Sequence, residues 1–236
     1  MAEDAISRRC LGAITVGQSP RPDLTPLFAA ALPPGAELIE RGVLDGLSRK
    51  EITRDYGPEP EGNVLISRLV DGSSVVISKA RAEARVIELV RELEAEGCRL
   101  ILLLCTGVFR GLDEGPAQVL QPQALLMPTI KALVMGRRAG FLVPTNRQVE
   151  VVPTKWACLS NAPDAPPPLA HALSPYDADD VEIAAAARAL AEAGAEILVG
   201  DCIGFAERHR KIAREASGLP VIVSTGLLSK LVAELV

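Results

Sequence analysis

The sequence has few aromatic residues, no excess of positive charge and no long apolar run. Its 236 residues include only four Phe, two Tyr and one Trp, and the formal net charge is −5. A basic groove with stacking platforms is therefore not expected, which argues against nucleic-acid binding. No uninterrupted apolar run is longer than Leu100 to Cys105, which is far shorter than the roughly 20 residues of a membrane-spanning helix. We therefore expect no membrane association.

The sequence also lacks the motifs that are typical of metal sites, disulfide frameworks, nucleotide-binding loops and signal peptides. The five cysteines are an odd number without C-x-x-C spacing, so neither a zinc site nor a disulfide framework is indicated. Neither a P-loop nor a complete G-x-G-x-x-G motif is present, and we expect no cofactor. The acidic segment Met1-Ala2-Glu3-Asp4 differs from the basic start of a signal peptide, which predicts a cytoplasmic location.

Apolar periodicity predicts strands and helices that alternate along the chain, which is typical of an α/β fold with parallel sheets. The predicted strands are 11–16, 36–41, 99–104, 138–143, 169–173, 196–200 and 219–223. The predicted helices are 22–32, 48–55, 79–97, 128–135, 149–159, 177–194, 205–217 and a last one from 227. Residues 64–69 and 74–78, joined across Asp71-Gly72, predict a small β-hairpin inserted in the first half.

An internal repeat singles out two of the cysteines. The segment Glu94–Gly107 resembles Ala191–Gly204, and in each copy a cysteine follows the helix-ending glycine by eight residues and precedes another glycine by two. Cys105 and Cys202 therefore take equivalent places where a strand ends and a helix begins. Backbone N–H groups and the helix dipole at that point favour an anion, such as a thiolate or a substrate carboxylate.

The repeat suggests a reaction as well as a position. If two similar lobes face each other, the two thiols approach one bound molecule from opposite sides, and we expect Cys105 and Cys202 to be the catalytic residues. One thiol would remove a proton from a carbon next to a carboxylate and the other would deliver a proton to the opposite face. A cysteine at the end of an apolar strand is also a common core residue, and a disulfide between the two stays an alternative.

Three segments carry a resemblance to a known family. They are Thr15–Asp23, Leu44–Ser48, and Asp201–Phe205 together with Arg208-His209-Arg210. Through them the sequence resembles the AroM family, within the aspartate/glutamate racemase superfamily. The resemblance implies two similar Rossmann-like lobes with parallel sheets around an interlobe cleft. It implies a first lobe of residues 1–124 plus 216–236 and a second lobe of residues 125–215.

The resemblance also implies a set of substrate-binding residues around the cysteines. They are Gln18, Ser19 and Arg21 after the first strand, Thr145 in the corresponding turn of the second lobe, Thr106 and Gly107 after Cys105, and Asp201 and Gly204 beside Cys202. Arg21 has the alternative of an exposed arginine on a first helical turn. Asp201 has the alternative of a helix cap. For His209 we expect a solvated or capping role, and the run 207–211 is expected to face solvent.

Three functions remain open from the sequence. The first is a cofactor-independent racemase, epimerase or isomerase of a small, amino-acid-like carboxylate that uses both cysteines. The second is a lyase or cis-trans isomerase in which a single cysteine acts. The third is a binding or regulatory protein that kept the cleft and lost turnover. The partner is in each case a small carboxylate, and a homodimer is the candidate assembly.

Overall fold

The computed structural model describes residues 10–159 and 167–235. These residues form two compact units, one comprising the chain up to Pro122 together with the residues from Val232 on, the other comprising Gln123–Leu231. Each unit has its own parallel sheet of four strands.

The first unit is built on four parallel strands in the order β2-β1-β5-β6, with an antiparallel hairpin of β3 and β4 beside them. Its elements are β1 Cys10–Thr15, α1 Thr25–Ala29, β2 Glu37–Gly42, α2 Arg49–Tyr56, β3 Val64–Arg68, β4 Ser74–Ser78, α3 Lys79–Ala95, β5 Leu100–Leu104 and β6 Gln118–Leu120. The central strand β1 packs under α3, where a methyl group on Gly12 would lie only 2.9 Å from Leu93. Glycine at this position therefore lets the helix approach the sheet.

The second unit repeats this plan with the strand order β8-β7-β9-β10, again all parallel. Its elements are α4 Pro122–Val134, β7 Ala139–Val143, α5 Asn146–Lys155, a 3₁₀ turn Ala157–Leu159, β8 Leu169–Ala172, α6 Asp180–Glu192, β9 Ile197–Gly200, α7 Glu207–Ser217, β10 Val221–Val223 and α8 Ser224–Ala233. In each sheet the first strand in sequence lies between the second and the third. The chain therefore reverses direction across the sheet between β1 and β5, and between β7 and β9, which is where open α/β sheets bind ligands.

The helices before β5 and β9 end in the same way. Gly97 and Gly194 adopt left-handed conformations with φ of 96° and 94°. The next N–H in each copy, that of Cys98 or Ala195, reaches back to a carbonyl of the last helical turn over 3.0 Å. This arrangement is a Schellman motif, which favours glycine because a side chain is strained at positive φ. The repeat seen in the sequence is thus a repeat of backbone conformation.

The parallel α/β fold and the hairpin expected from the sequence are confirmed, but several boundaries differ. The strand Gln118–Leu120 was not expected, helix α4 begins at Pro122 instead of 128, and helix α1 covers only Thr25–Ala29 of the expected 22–32. The C-terminal end of the second unit also differs from the expected residue 215, because β10 pairs with β9 and belongs to the second unit, which extends to Leu231. Residues 216–231, which we expected in the first lobe, therefore lie in the second.

Within residues 10–159 and 167–235, no helix has the length and apolar character that crossing a membrane requires.

Candidate active site

Cys105 and Cys202 make the same local contact in their separate units. Cys105 directly follows β5, and Cys202 follows β9 by two residues; each is 7 % exposed. The Sγ of Cys105 accepts a hydrogen bond from the N–H of Gly107 over 3.4 Å, and the Sγ of Cys202 accepts one from Gly204 over the same distance. None of the five cysteines forms a disulfide. The duplicated spacing in the sequence therefore corresponds to a duplicated thiol–amide contact.

The loop that carries Cys202 is fixed by its neighbours in the second unit. The hydroxyl of Ser224 donates to the carbonyl of Gly200 over 2.8 Å, and that of Thr225 donates to the carbonyl of Ile203. Both hydroxyls are buried at the start of α8. A methyl group on Gly204 would lie 2.6 Å from the ring of Tyr176, so this glycine is required by close packing. The thiol is consequently held on a backbone with little freedom to move.

Asp201, the residue before Cys202, is the centre of a buried polar cluster. Its carboxylate accepts from the Lys155 ammonium at 3.0 and 2.8 Å and from the Trp156 indole N–H at 2.8 Å. Asp201 is 5 % exposed, whereas 27 % of the Lys155 side chain is accessible. Trp156 stacks on Phe141 of β7 with ring centroids 4.7 Å apart. Asp201 thus bonds to α5 and the residue after it, and its carboxylate does not cap a helix.

In the first unit, Gln18 joins three separate chain segments. Its side-chain N–H₂ donates to the carbonyls of Leu44 and Leu47 over 3.2 and 2.9 Å, and its carbonyl oxygen accepts from the N–H of Val70 over 3.0 Å. Both amide donors are therefore used within the protein. The observed contacts of Gln18 are structural ones that hold the loop after β2 and the hairpin against the loop after β1.

Ser19 and Arg21 also have partners within the first unit. The backbone N–H and hydroxyl of Ser19 each donate to the carboxylate of Asp45 over 2.6 Å. The guanidinium of Arg21 donates to both oxygens of Asp23 over 2.8 Å and to the hydroxyl of Thr15. Arg21 is only 2 % exposed, so the alternative of an exposed arginine is wrong.

The ion pair with Arg21 also determines the protonation state of Asp23. Burial alone would raise the pKa of Asp23, but the hydrogen bonds and positive charge of Arg21 outweigh burial and lower that pKa. Asp23 is therefore the ionised partner of a bidentate pair at the start of the turn that leads into α1.

The remaining candidates lie beside the same strand ends. Thr145 caps α5 by accepting from the N–H of Gln148, which receives the return bond of a capping box. Thr106 is buried and Gly107 half-buried in the turn after Cys105. In the first unit the structure thus brings the candidates to the ends of β1 and β5. In the second unit it brings them to the ends of β7 and β9.

A solvated or a capping role was expected for His209, on α7, and the structure shows the capping role. Its Nδ1 accepts from the N–H of Ala206 over 3.1 Å, which places the ring proton on Nε2. The ring meets Phe205 edge-on and is 5 % exposed, so it is not solvated, although its neighbours in the run 207–211 are exposed. Burial, together with the positive charge of Arg208, lowers the pKa of His209. The imidazole is therefore neutral near pH 7.

The other cysteines lie outside these turns. Burial and the adjacent thiol of Cys10 raise the pKa of Cys98 to about 12, which disfavours a thiolate at neutral pH. Cys158 is half-buried in the 3₁₀ turn. In the described part of the chain, no three His, Cys, Asp or Glu side chains are grouped as a metal ion would require.

Solved structures similar to the chain share this arrangement of strands and helices. Allantoin racemase from Pseudomonas fluorescens is 16 % identical with a TM-score of 0.56, over 95 % of this chain and 89 % of that one. Glutamate racemase from Francisella tularensis subsp. tularensis SCHU S4, in complex with D-glutamate, is 11 % identical with a TM-score of 0.56, over 98 % and 81 %. Unliganded arylmalonate decarboxylase is 14 % identical with a TM-score of 0.54, over 95 % and 90 %. No curated protein matches the sequence significantly.

Two parallel α/β units of the same topology, together with these structural similarities, show that the protein shares the fold of these racemases and of the decarboxylase. The model of the AroM protein family matches residues 11–236 of the sequence. The chain belongs to the AroM family, as the sequence motifs indicated.

Sequence reasoning missed the partners that fix the candidate residues. Lys155 and Trp156 reach Asp201 from 46 and 45 residues away, and no local pattern connects them. The only signal was that Trp156 is the single tryptophan of the chain. Asp45 lies within Leu44–Ser48, one of the three segments that carry the family resemblance. Its contact with Ser19, however, depends on the pairing of β1 with β2.

Proposed function

We propose that this protein is a cofactor-independent racemase, epimerase or isomerase of a small, amino-acid-like carboxylate, with Cys105 and Cys202 as its acid/base pair. The observation that carries the proposal is the repeated contact of each thiol with the N–H of the glycine two residues on. A core cysteine would not need this contact twice, at the same distance and the same place in two equivalent sheets. An N–H donor stabilises a thiolate more than a thiol, because it bonds to the charged sulfur more strongly.

The chemistry follows from these two groups. One cysteine, as thiolate, takes the proton from the carbon next to the substrate carboxylate, and the electron pair of the C–H bond delocalises into that carboxylate. The other cysteine, as thiol, then gives its proton to the opposite face of the carbon. The product is the mirror configuration, and the protonation states of the two thiols have exchanged. The proposal requires both thiols to approach one carbon from opposite faces.

The rigid turns contribute by positioning. Proton transfer requires the donor and acceptor heavy atoms to lie about 2.6–3.2 Å apart, or to reach that distance by a short movement. The Cys202 loop, fixed by Ser224, Thr225 and the contact of Gly204 with Tyr176, would hold its sulfur in place between turnovers. We include a cytoplasmic location in the proposal, with no nucleic-acid or membrane partner and a homodimer as the candidate assembly.

A second candidate function is a single-thiol lyase or isomerase. The observation that favours it is the difference between the residues that precede the two thiols. Leu104 is apolar and buried, whereas Asp201 is charged and bonded to Lys155. Two thiols in such different surroundings suit a reaction in which only one of them exchanges protons with the substrate.

Hydrogen exchange at carbon tests the proposal without knowledge of the product. The purified protein is incubated in D₂O with panels of single enantiomers of amino acids and related carboxylates, and mass spectrometry detects deuterium at the carbon next to the carboxylate. We expect deuterium incorporation accompanied by the opposite enantiomer. The double variant Cys105→Ser/Cys202→Ser, prepared in parallel, should show neither.

The other outcomes separate the alternatives. Loss of carbon dioxide or another fragment from a substrate of the panel, without the opposite enantiomer, would indicate the lyase. Binding of panel compounds with no exchange at all would indicate a binding protein and would contradict the proposal.

A further inference from the structure

In the second unit a lysine ammonium bonds to the residue that precedes the thiol, whereas in the first unit the residue that precedes the thiol is an apolar leucine. Asp201 precedes Cys202 and carries Lys155 on its carboxylate; Leu104 precedes Cys105. Arg21, the cation for which the resemblance implies substrate binding, is buried and bonded to both oxygens of Asp23. Lys155 is a second candidate for a carboxylate-binding group, because it carries the required charge and bonds to the residue directly before Cys202.

We propose that Lys155 binds the carboxylate of the substrate at Cys202, and that Asp201 and Trp156 position its ammonium. This inference rests on the proposed function, because it names the group that orients the substrate at one of the two thiols.

The geometry around Lys155 supports a ligand on its solvent side. An ammonium has three N–H donors, and two of them bond to the oxygens of Asp201. The Lys155 side chain is 27 % accessible, whereas that of Asp201 is 4 % accessible, so the carboxylate is enclosed and the lysine is the member of the pair that solvent reaches. A small carboxylate could accept the third N–H and complete the shell of the ammonium.

The buried partners fix where the ammonium lies. The carboxylate of Asp201 takes a further bond from the Trp156 indole, and Trp156 is itself held by stacking on Phe141. The Lys155 nitrogen also lies 5.7 Å from the centroid of the Trp156 ring, within the range of a cation–π contact. A flexible lysine is thereby held near one place, which reduces the entropy lost when it binds a ligand.

The competing explanation is that Lys155 only neutralises the buried Asp201. An uncompensated buried carboxylate is costly, so such a lysine would be kept for stability alone. Removing Lys155 by itself cannot separate the two explanations, because the remaining negative charge would repel an anionic ligand in either case.

Two alkylating reagents that differ only in charge provide the test. Iodoacetate and iodoacetamide present the same carbon to a thiolate, which displaces iodide and forms a C–S bond. The ratio of their rates at one cysteine therefore reports the local preference for an anion and cancels changes in thiol ionisation or accessibility. Peptide mass spectrometry gives this ratio separately for Cys202 and for Cys105, the internal reference.

Four variants complete the design. Lys155→Met removes the cation, Lys155→Arg keeps it, and Lys155→Met/Asp201→Asn removes both charges. Lys211→Met, at an exposed position of α7, controls for the change in net charge. Circular dichroism establishes that each variant is folded before alkylation.

We expect the iodoacetate preference at Cys202 to fall about fivefold in Lys155→Met and to stay low in Lys155→Met/Asp201→Asn, since a contact between unit charges in partly exposed surroundings has about this strength. Lys155→Arg and Lys211→Met should stay within twofold of the wild type, and the ratio at Cys105 should not change. A wild-type ratio in the double variant would show that Lys155 only compensates Asp201 and would overturn the proposal.

A lack of alkylation of Cys202 by either reagent would also overturn the proposal, because a small carboxylate could then not reach this thiol. Neither result depends on turnover. The hydrogen-exchange experiment can therefore fail while this one succeeds, and the reverse also holds.

Discussion

The N–H of Gly204 donates to the Sγ of Cys202 over 3.4 Å, and this bond has an equivalent of the same length in the other unit. The two glycines differ in what surrounds them. A methyl group on Gly204 would meet Tyr176 at 2.6 Å, whereas on Gly107 the nearest atom, in Phe109, would be 3.3 Å away. Each turn contains its own copy of this hydrogen bond, but the surroundings of Gly204 are packed more tightly than those of Gly107.

This difference predicts unequal effects of adding one methyl group. Gly204→Ala should lower the free energy of unfolding by about 1–3 kcal/mol, because the ring of Tyr176 must move. Gly107→Ala should have a smaller effect, since its neighbours need to shift only slightly. Urea denaturation of both variants measures the difference.

A double variant controls for the assigned cause. Tyr176→Ala removes the clashing ring, so Gly204→Ala should cost less in that background than in the wild type. Equal costs in the two backgrounds would show that the ring of Tyr176 is not the reason why position 204 requires glycine.

Gln18 is expected to stabilise the first unit. Gln18→Leu keeps the size of the side chain but leaves two carbonyls and the N–H of Val70 without this partner. We expect a loss of about 2 kcal/mol in the free energy of unfolding. Gln118→Leu, at an exposed position of β6, is the matched control and should change little. Unchanged stability together with lost activity would instead support the substrate contact expected from the sequence.

His209 predicts a specific dependence of stability on pH. Burial lowers its pKa in the folded protein below the ordinary value of 6.5, so below that pH the unfolded chain binds the proton more strongly. The stability associated with the neutral ring is fully present above about pH 6.5 and is lost as the pH falls toward the lowered pKa.

His209→Gln isolates this contribution. Glutamine at the third helical position can accept the bond from Ala206 and does not titrate. Thermal unfolding between pH 8 and pH 5 should therefore show a smaller loss of stability in the variant than in the wild type. Parallel pH profiles would contradict the assignment of a buried, neutral His209.

The sequence predicted those parts of the fold that depend on local patterns. Apolar strands, glycine-ended helices and the hairpin turn at Asp71-Gly72 are encoded in neighbouring residues, and they occur as expected. Local signals failed where an element is defined by its partner. The three residues of β6 form a strand only because they pair with β5. Residues 216–231 join the second unit because β10 completes its sheet.

The candidate site divides in the same way. The spacing from glycine to cysteine is local, and both cysteines lie after a strand with the same thiol–amide contact. The helix expected directly after each cysteine is present only near Cys202, where α7 begins at Glu207; after Cys105 the next element is β6, and the next helix begins at Pro122.

The charges around the two cysteines depend on contacts between distant residues. The resemblance implies a substrate-binding role for Arg21, whose observed carboxylate partner is Asp23, and no local pattern pointed to Lys155, which bonds to Asp201. Side-chain pairing in the folded protein decides which charges are left for a ligand.

The central claim is that Cys105 and Cys202 act on opposite faces of one carbon. Its most direct test uses a substrate identified among the single enantiomers of the hydrogen-exchange experiment. The rate of deuterium exchange is measured from each enantiomer of that substrate with Cys105→Ser and with Cys202→Ser. Cys158→Ser is the control and should keep wild-type activity. We predict that both single variants lose net racemisation by about 100-fold or more, because serine is too weak a base at neutral pH. Each should still exchange the enantiomer that faces its remaining thiol, so the two variants should prefer opposite enantiomers. Full activity in both variants, or loss in only one of them, would contradict the two-thiol account.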